Sequence, residues 1–108
     1  MANIYKKVNT DLITNTEKDV YTVPSNSRSL VKSIHIYNEG AGDAVVTIKI
    51  ESSSVTYFYQ KKTIAADAIA EFVLNILILQ ENDKLKMLSD ITGPDITISI
   101  LETNREDL

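Results

Sequence analysis

The run Ile34-His35-Ile36-Tyr37-Asn38, followed by Glu39-Gly40-Ala41-Gly42-Asp43 and then Val45 through Glu51, decides the fold class of this chain. In it Ile34, Ile36, Val46, Ile48 and Ile50 alternate with His35, Thr47, Lys49 and Glu51. An apolar side chain at every second position marks a half-buried strand, because successive residues of extended chain point to opposite faces. The glycine-containing loop between the two strands predicts a hairpin.

The same period of two returns along the chain. Ile4, Lys6, Val8, Thr10 and Leu12 alternate weakly and predict an edge strand or an arm, within an N-terminal segment of about residues 1–18. A short strand over Val20–Val23 stops at Pro24, which cannot donate to a ladder. Val31 is out of step with Ile34 and Ile36, which predicts a bulge near Lys32-Ser33. Ser52-Ser53-Ser54 is a turn, and Val55 to Lys61 is the next strand.

Residues Ile64 to Leu79 fit two periods. Ile69, Phe72, Val73, Ile76 and Leu77 share one helical face, whereas Phe72, Leu74, Ile76 and Ile78 share one strand face. Strand is the expectation, because strands flank the segment on both sides. Ala65-Ala66-Asp67 is then a loop. Gln80 to Asp83 is a turn with Asn82 suited to positive φ, Lys84 to Leu88 a strand, and Gly93-Pro94-Asp95 a turn into Ile96–Leu101. The charged tail from Asn104 to Leu108 is expected to fray. These elements predict an all-β, antiparallel sandwich of jelly-roll-like type, with about eight strands in a single domain over 1–108.

Composition narrows the function classes. At 108 residues the chain is long enough for one core and too short for two. A hydrophobic fraction of 44% is that of ordinary globular proteins, so disorder is not favoured. Cysteine is absent, which excludes disulfides and thiolate metal sites. The net charge of −4 and the lack of a basic run argue against nucleic acid as a partner. The opening residues have no apolar run after their lysines, and Phe72–Leu79 is too short to cross a bilayer, so neither a signal peptide nor a membrane partner is expected.

No reaction centre is legible. His35 is the single histidine and has no partner at a motif spacing, so a surface or interface position is its expected role. Asn82, Asp83, Asp90 and Asp95 carry oxygen ligands without the spacing of a calcium loop. No catalytic residue, cofactor or metal is expected. The densest aromatic run is Tyr57-Phe58-Tyr59, with Phe58 on one face and Tyr57 and Tyr59 on the other. Tyrosine is favoured at protein interfaces, which makes Ile4, Tyr5, Tyr57 and Tyr59 the candidate contact residues.

Val20-Tyr21-Thr22-Val23-Pro24, the strand ending at Asn38, Ile64-Ala65-Ala66 and Leu79-Gln80-Glu81-Asn82-Asp83-Lys84-Leu85 together carry a resemblance. From about Asp19 to Glu102 the chain resembles small virion accessory proteins of tailed bacteriophages. Their pattern reads Tyr-Thr-Val-Pro-(Ala-Gly), a strand ending in Asn, and Leu-x-x-Gly-Asp-x-(Leu/Ile). This chain departs from it with Ser25-Asn26 in place of Ala-Gly and Asn82 in place of Gly. The resemblance implies a β-sandwich protein of the particle, assembled in the host cytoplasm, without catalysis or cofactor. Capsid decoration or cementing is the expected role, with the major capsid protein or other virion proteins as partners and a homo-oligomer, a trimer by preference, as the assembly. A neck or tail position, or a host-glycan-binding module using Tyr57 and Tyr59, are the alternatives.

Overall fold

The computed structural model describes residues 2–72 and 76–104; Asn104, expected to fray with the tail, instead ends a strand paired on both sides, while the rest of that tail, 105–108, and the places of Val73 and Leu74 fall outside the described residues. The described residues form nine strands and no helix: β1 (Ala2–Asp11), β2 (Lys18–Thr22), β3 (Ser27–Asn38), β4 (Ala44–Ser52), β5 (Val55–Ile64), β6 (Ile69–Glu71), β7 (Leu77–Leu79), β8 (Lys84–Ser89) and β9 (Pro94–Asn104). They make two antiparallel sheets. Sheet I has the order β1-β9-β3-β6, with β7 also on β3, and sheet II the order β2-β8-β4-β5. β6 and β7 pair with the same edge of β3, at His35–Tyr37 and Ser29–Val31. Together they occupy one edge position, so the sandwich is four on four and jelly-roll-like.

The expected strand over 64–79 is therefore present in two pieces, with its faces rearranged. Phe72 is buried, but Ile76 and Ile78 point to solvent at 55% and 58% exposure. The break lies alongside the predicted bulge of β3, where the register with β9 shifts between Val31 and Ser33.

The predicted hairpin is a correction. β3 lies in sheet I and β4 in sheet II, so residues 39–43 cross from one layer to the other. Alternation reports that one face of a strand is buried, not whether its neighbour in sequence pairs beside it or packs opposite it. The hairpin is instead β4–β5, closed by Ser53 and Ser54 with φ of 51° and 65°. Two positive φ values in a two-residue loop are the type I′ geometry, whose twist suits antiparallel partners.

The core fills the gap between the sheets. Sheet I contributes Val31, Ile34, Ile36, Phe72, Leu79, Ile96, Ile98 and Ile100, and sheet II Tyr21, Ala44, Val46, Ile48, Ile64, Leu85 and Met87. Each such side chain stabilises the fold by about 1.5–3 kcal/mol relative to exposure. A bulge between Asp19 and Tyr21 lets the consecutive residues Val20 and Tyr21 both be buried.

Both ends are riveted by side chains. At one end Asn38 is fully buried, and its Nδ2 donates to Gly42 O at 2.8 Å and Ile64 O at 2.9 Å. Its Oδ1 accepts from Gly40 N at 2.9 Å. Gly93 (φ 144°) packs there so closely that a Cβ would lie 2.8 Å from the Gly40 backbone. At the other end Asp83 accepts from Gln80 N at 2.9 Å and Ser52 Oγ at 2.8 Å, beside Asn82 at φ 65°. Asn38 and Asp83, two of the motif residues quoted above, thus hold turns together.

Candidate interaction surface

Buried polar side chains are the first place to seek chemistry, and among the described residues they are all engaged. Glu102 is 2% exposed and faces inward from β9. Tyr21 OH donates to Glu102 Oε2 at 2.5 Å, so the contact of 2.6 Å with Ser29 has the serine hydroxyl as donor. Lys6 Nζ stands 3.1 Å from the same carboxylate. Burial, and then the bond to Glu102, raise the Tyr21 phenol well above its ordinary value. Among the described residues no buried side-chain nitrogen or oxygen lacks a partner, and no group of three or more His, Asp or Glu is placed to hold a metal. Asp83 and Asp90 lie beyond opposite ends of β8, and the second is used by Val45 N at 2.8 Å.

The outward faces differ sharply from this saturated interior. Because paired residues of antiparallel strands point to the same side, register places side chains in rows. On sheet I the pairs Tyr5↔Leu101, Leu30↔Leu101 and Leu30↔Ile78 form one row across all four strand positions. Every member is apolar or aromatic. Tyr5 is 78% exposed and Lys32 Nζ lies 6.0 Å from its ring centre. Lys7, Arg28 and Lys32 surround the row, and none forms an ion pair among the described residues.

The opposite end of that face is acidic. The pairs Asp11↔Asp95, Tyr37↔Asp95 and Tyr37↔Ile69 set its last row, with Glu39 beside it. Repulsion from Asp95, a hydrogen bond with it, and Asp11 further off raise the Glu39 carboxyl above its usual range. A shallow open depression between β1 and β9 is lined by Asn9, Asp11, Asp95 and Thr97. His35 sits mid-face, half-buried, with Glu71 and Thr97 as cross-strand neighbours.

The sequence-derived contact residues do not form one patch. Ile4 and Tyr5 lie on β1, at one lateral edge of sheet I, and Tyr57 and Tyr59 on β5, at the other lateral edge of sheet II. Ile4 faces inward at the rim, opposite Glu102, and is 38% exposed. A bulge in β5 at Tyr59 breaks the alternation expected for the aromatic run: Lys49 pairs with Phe58 and Ile48 with Gln60. Tyr59 consequently packs half-buried against the core, Tyr57 is 57% exposed, and Phe58 stands out at 79% with Lys49 Nζ 5.2 Å from its ring centre. Sequence reasoning missed Leu30, Leu101 and Ile78. The available signal was Leu101 itself, an apolar residue at the solvent parity of a strand whose core residues are Ile96, Ile98 and Ile100.

No family model and no curated protein sequence matches the chain. Solved structures do share its fold. A chain of the T13 IBDV viral particle superposes with a TM-score of 0.61 at 7% identity, over 95% of this chain and 31% of that one. A protein of Bacillus endospore appendages, a family of disulfide-linked pili, gives 0.61 at 16% identity, over 95% and 89%. A chain from the capsid of Helicobacter pylori bacteriophage KHP30 gives 0.58 at 9% identity, over 94% and 87%. This chain spans about a third of the first of these proteins. The likeness is one of fold: an all-β sandwich that recurs in viral capsid proteins.

Proposed function

We propose that this chain is a non-enzymatic structural protein of a tailed-bacteriophage virion, a capsid decoration or cement protein that joins shell subunits through its outward faces. The observation that carries the reading is the apolar row Tyr5–Leu101–Leu30–Ile78, exposed at Tyr5 and Ile78 and half-buried at Leu30 and Leu101, beside cations without an ion-pair partner among the described residues. Among the described residues no buried side-chain polar atom lacks a partner, and an apolar row of this kind marks a contact surface. Fold likeness to capsid chains, together with the phage-type turn motifs, favours the virion as the setting. The disulfide chemistry of the endospore pili is not open to a chain without cysteine.

The mechanism is mechanical. Each copy buries on the order of 800 Å² against its partner, and repeated copies turn weak contacts into durable attachment. Quantitative mass spectrometry of purified particles of the encoding phage tests this. Hundreds of copies per particle support a shell address, and about a dozen or fewer move the protein to the neck or tail. Absence from the particle overturns the reading.

A further inference from the structure

We infer that the outward face of sheet I docks a second copy of this chain, the two packing face to face with strands reversed, so that the cation-rimmed apolar row of each lies on the acidic end of the other. The inference deepens the structural-assembly reading and rests on it. The contact is two-fold, where a homo-oligomer with a trimer preferred is the expectation from the sequence.

Three observations lead to it. The face is polarised along its strands, with Lys7, Arg28 and Lys32 around the apolar row and Asp11, Glu39 and Asp95 about six residues away, roughly 20 Å at strand rise. Neither end is neutralised locally: the lysines and Arg28 have no ion-pair partner among the described residues, Asp11 has only Lys18 Nζ at 3.5 Å, and Glu39 and Asp95 repel one another. A reversal centred on the pair Val8↔Ile98 corrects both ends at once.

The register makes the match specific. That reversal sets Tyr5 over Asp11 of the other copy, Leu101 over Asp95, Leu30 over Tyr37 and Ile78 over Ile69. The aliphatic ends thus meet on one side and the charged ends on the other. Tyr5, the protruding side chain at 78% exposure, arrives at the depression lined by Asn9, Asp11, Asp95 and Thr97, where its hydroxyl can donate to a carboxylate. The centre of the face carries Ser33, His35, Thr97 and Ser99, with Lys7, Asn9 and Glu71 on the same rows.

The area suffices. Four strand positions at about 4.8 Å and ten residues at about 3.4 Å give roughly 600 Å² per copy, about 1,200 Å² in all, the lower end of specific interfaces. An interface of that size makes self-association weak and strongest at low ionic strength.

Sedimentation velocity on the isolated chain at about 100 μM and low salt is the test. Wild type is expected at twice the monomer mass. The Lys7→Glu/Lys32→Glu and Asp11→Lys/Asp95→Lys variants are each expected to be monomeric, with wild-type circular dichroism, and an equimolar mixture of the two is expected to dimerise again, because both charge contacts are then complementary. Tyr5→Ala is expected to weaken the dimer at least tenfold. A monomeric wild type, a variant that stays dimeric, or a folded mixture that does not recover overturns the inference. Virion copy number is read separately, so a monomer found abundantly on particles sinks this contact alone, and leaves the row to a different virion protein.

Discussion

The two outward faces of the sandwich are built on the same alternation and differ in how many of their lysines are paired. On sheet II, Lys49 pairs with Glu17 at 2.8 Å, and Lys86 sits among Asp19 at 3.0 Å, Glu51 at 3.3 Å and Glu17 at 3.9 Å, with Lys84 3.8 Å from Asp19. Its outward apolar residues Val45, Leu88 and Phe58 fall in separate rows. On the outward face of sheet I, Lys7, Arg28 and Lys32 have no ion-pair partner among the described residues, as is also true of Lys61 on sheet II, and four apolar residues share a single row. A charge lattice makes a sheet face poor at sticking to anything, whereas an apolar row with open cations invites a partner. On the proposed reading one face is surface, and the other is completed by a partner.

That contrast exists only while the layers stay in register, and the largest expected effect comes from loosening them. Asn38→Ala removes the partners of Gly40 N–H, Gly42 C=O and Ile64 C=O in one step. A loss of about 2–4 kcal/mol is expected in urea unfolding, with both faces affected alike. If stability instead changes by less than about 0.5 kcal/mol, Asn38 is not the rivet that fixes the crossing between sheets.

The next effect belongs to one face alone. Leu101→Glu gives sheet I a charge in the middle of its row and makes it resemble sheet II. Self-association is expected to fall at least tenfold, about 1.4 kcal/mol, while the unfolding midpoint stays near wild type. A variant that loses stability but keeps its association constant would show that Leu101 belongs to the fold rather than to a contact.

How much of this contrast the sequence carries can be followed residue by residue. Alternation is a local property, so the strands, the bulge at Lys32-Ser33 and the positive φ of Asn82 are readable directly. Pairing is not local. The apolar row draws on β1, β3, β7 and β9, from opposite ends of the chain, and no window of sequence contains it. The same blindness turned the β3–β4 crossing into a hairpin, since a strand packed opposite and a strand paired beside leave the same pattern. The alternation expected through Tyr59 breaks for a smaller reason: one extra residue in β5 shifts parity, and the aromatic run gives no sign of where the bulge falls.

A third expected effect sharpens the edge of sheet II. Ser53 and Ser54 both occupy the left-handed region, at φ 51° and 65°, which serine tolerates less well than asparagine and glycine. Ser53→Asn/Ser54→Gly is expected to stabilise the protein by about 0.5–1 kcal/mol, without changing its association. A destabilised double variant would mean that these hydroxyls hold the turn in ways the backbone angles do not convey.

The smallest effect tests whether the lattice of sheet II matters to stability at all. Hydrogen bonds with Asp19, then with Glu51, raise the Lys86 ammonium above its ordinary value. A cation whose folded value is raised contributes fully below its unfolded value, near 10.4, and that contribution fades as pH climbs through the folded value. The melting temperature of Lys86→Met is therefore expected to sit slightly below wild type at pH 7. The gap should close above about pH 10.5, and also at about 1 M salt, where surface pairs are screened. Sedimentation of the variant should match wild type throughout. A change in its mass, with stability untouched, would move the working surface from sheet I to sheet II and reverse the assignment of the two faces.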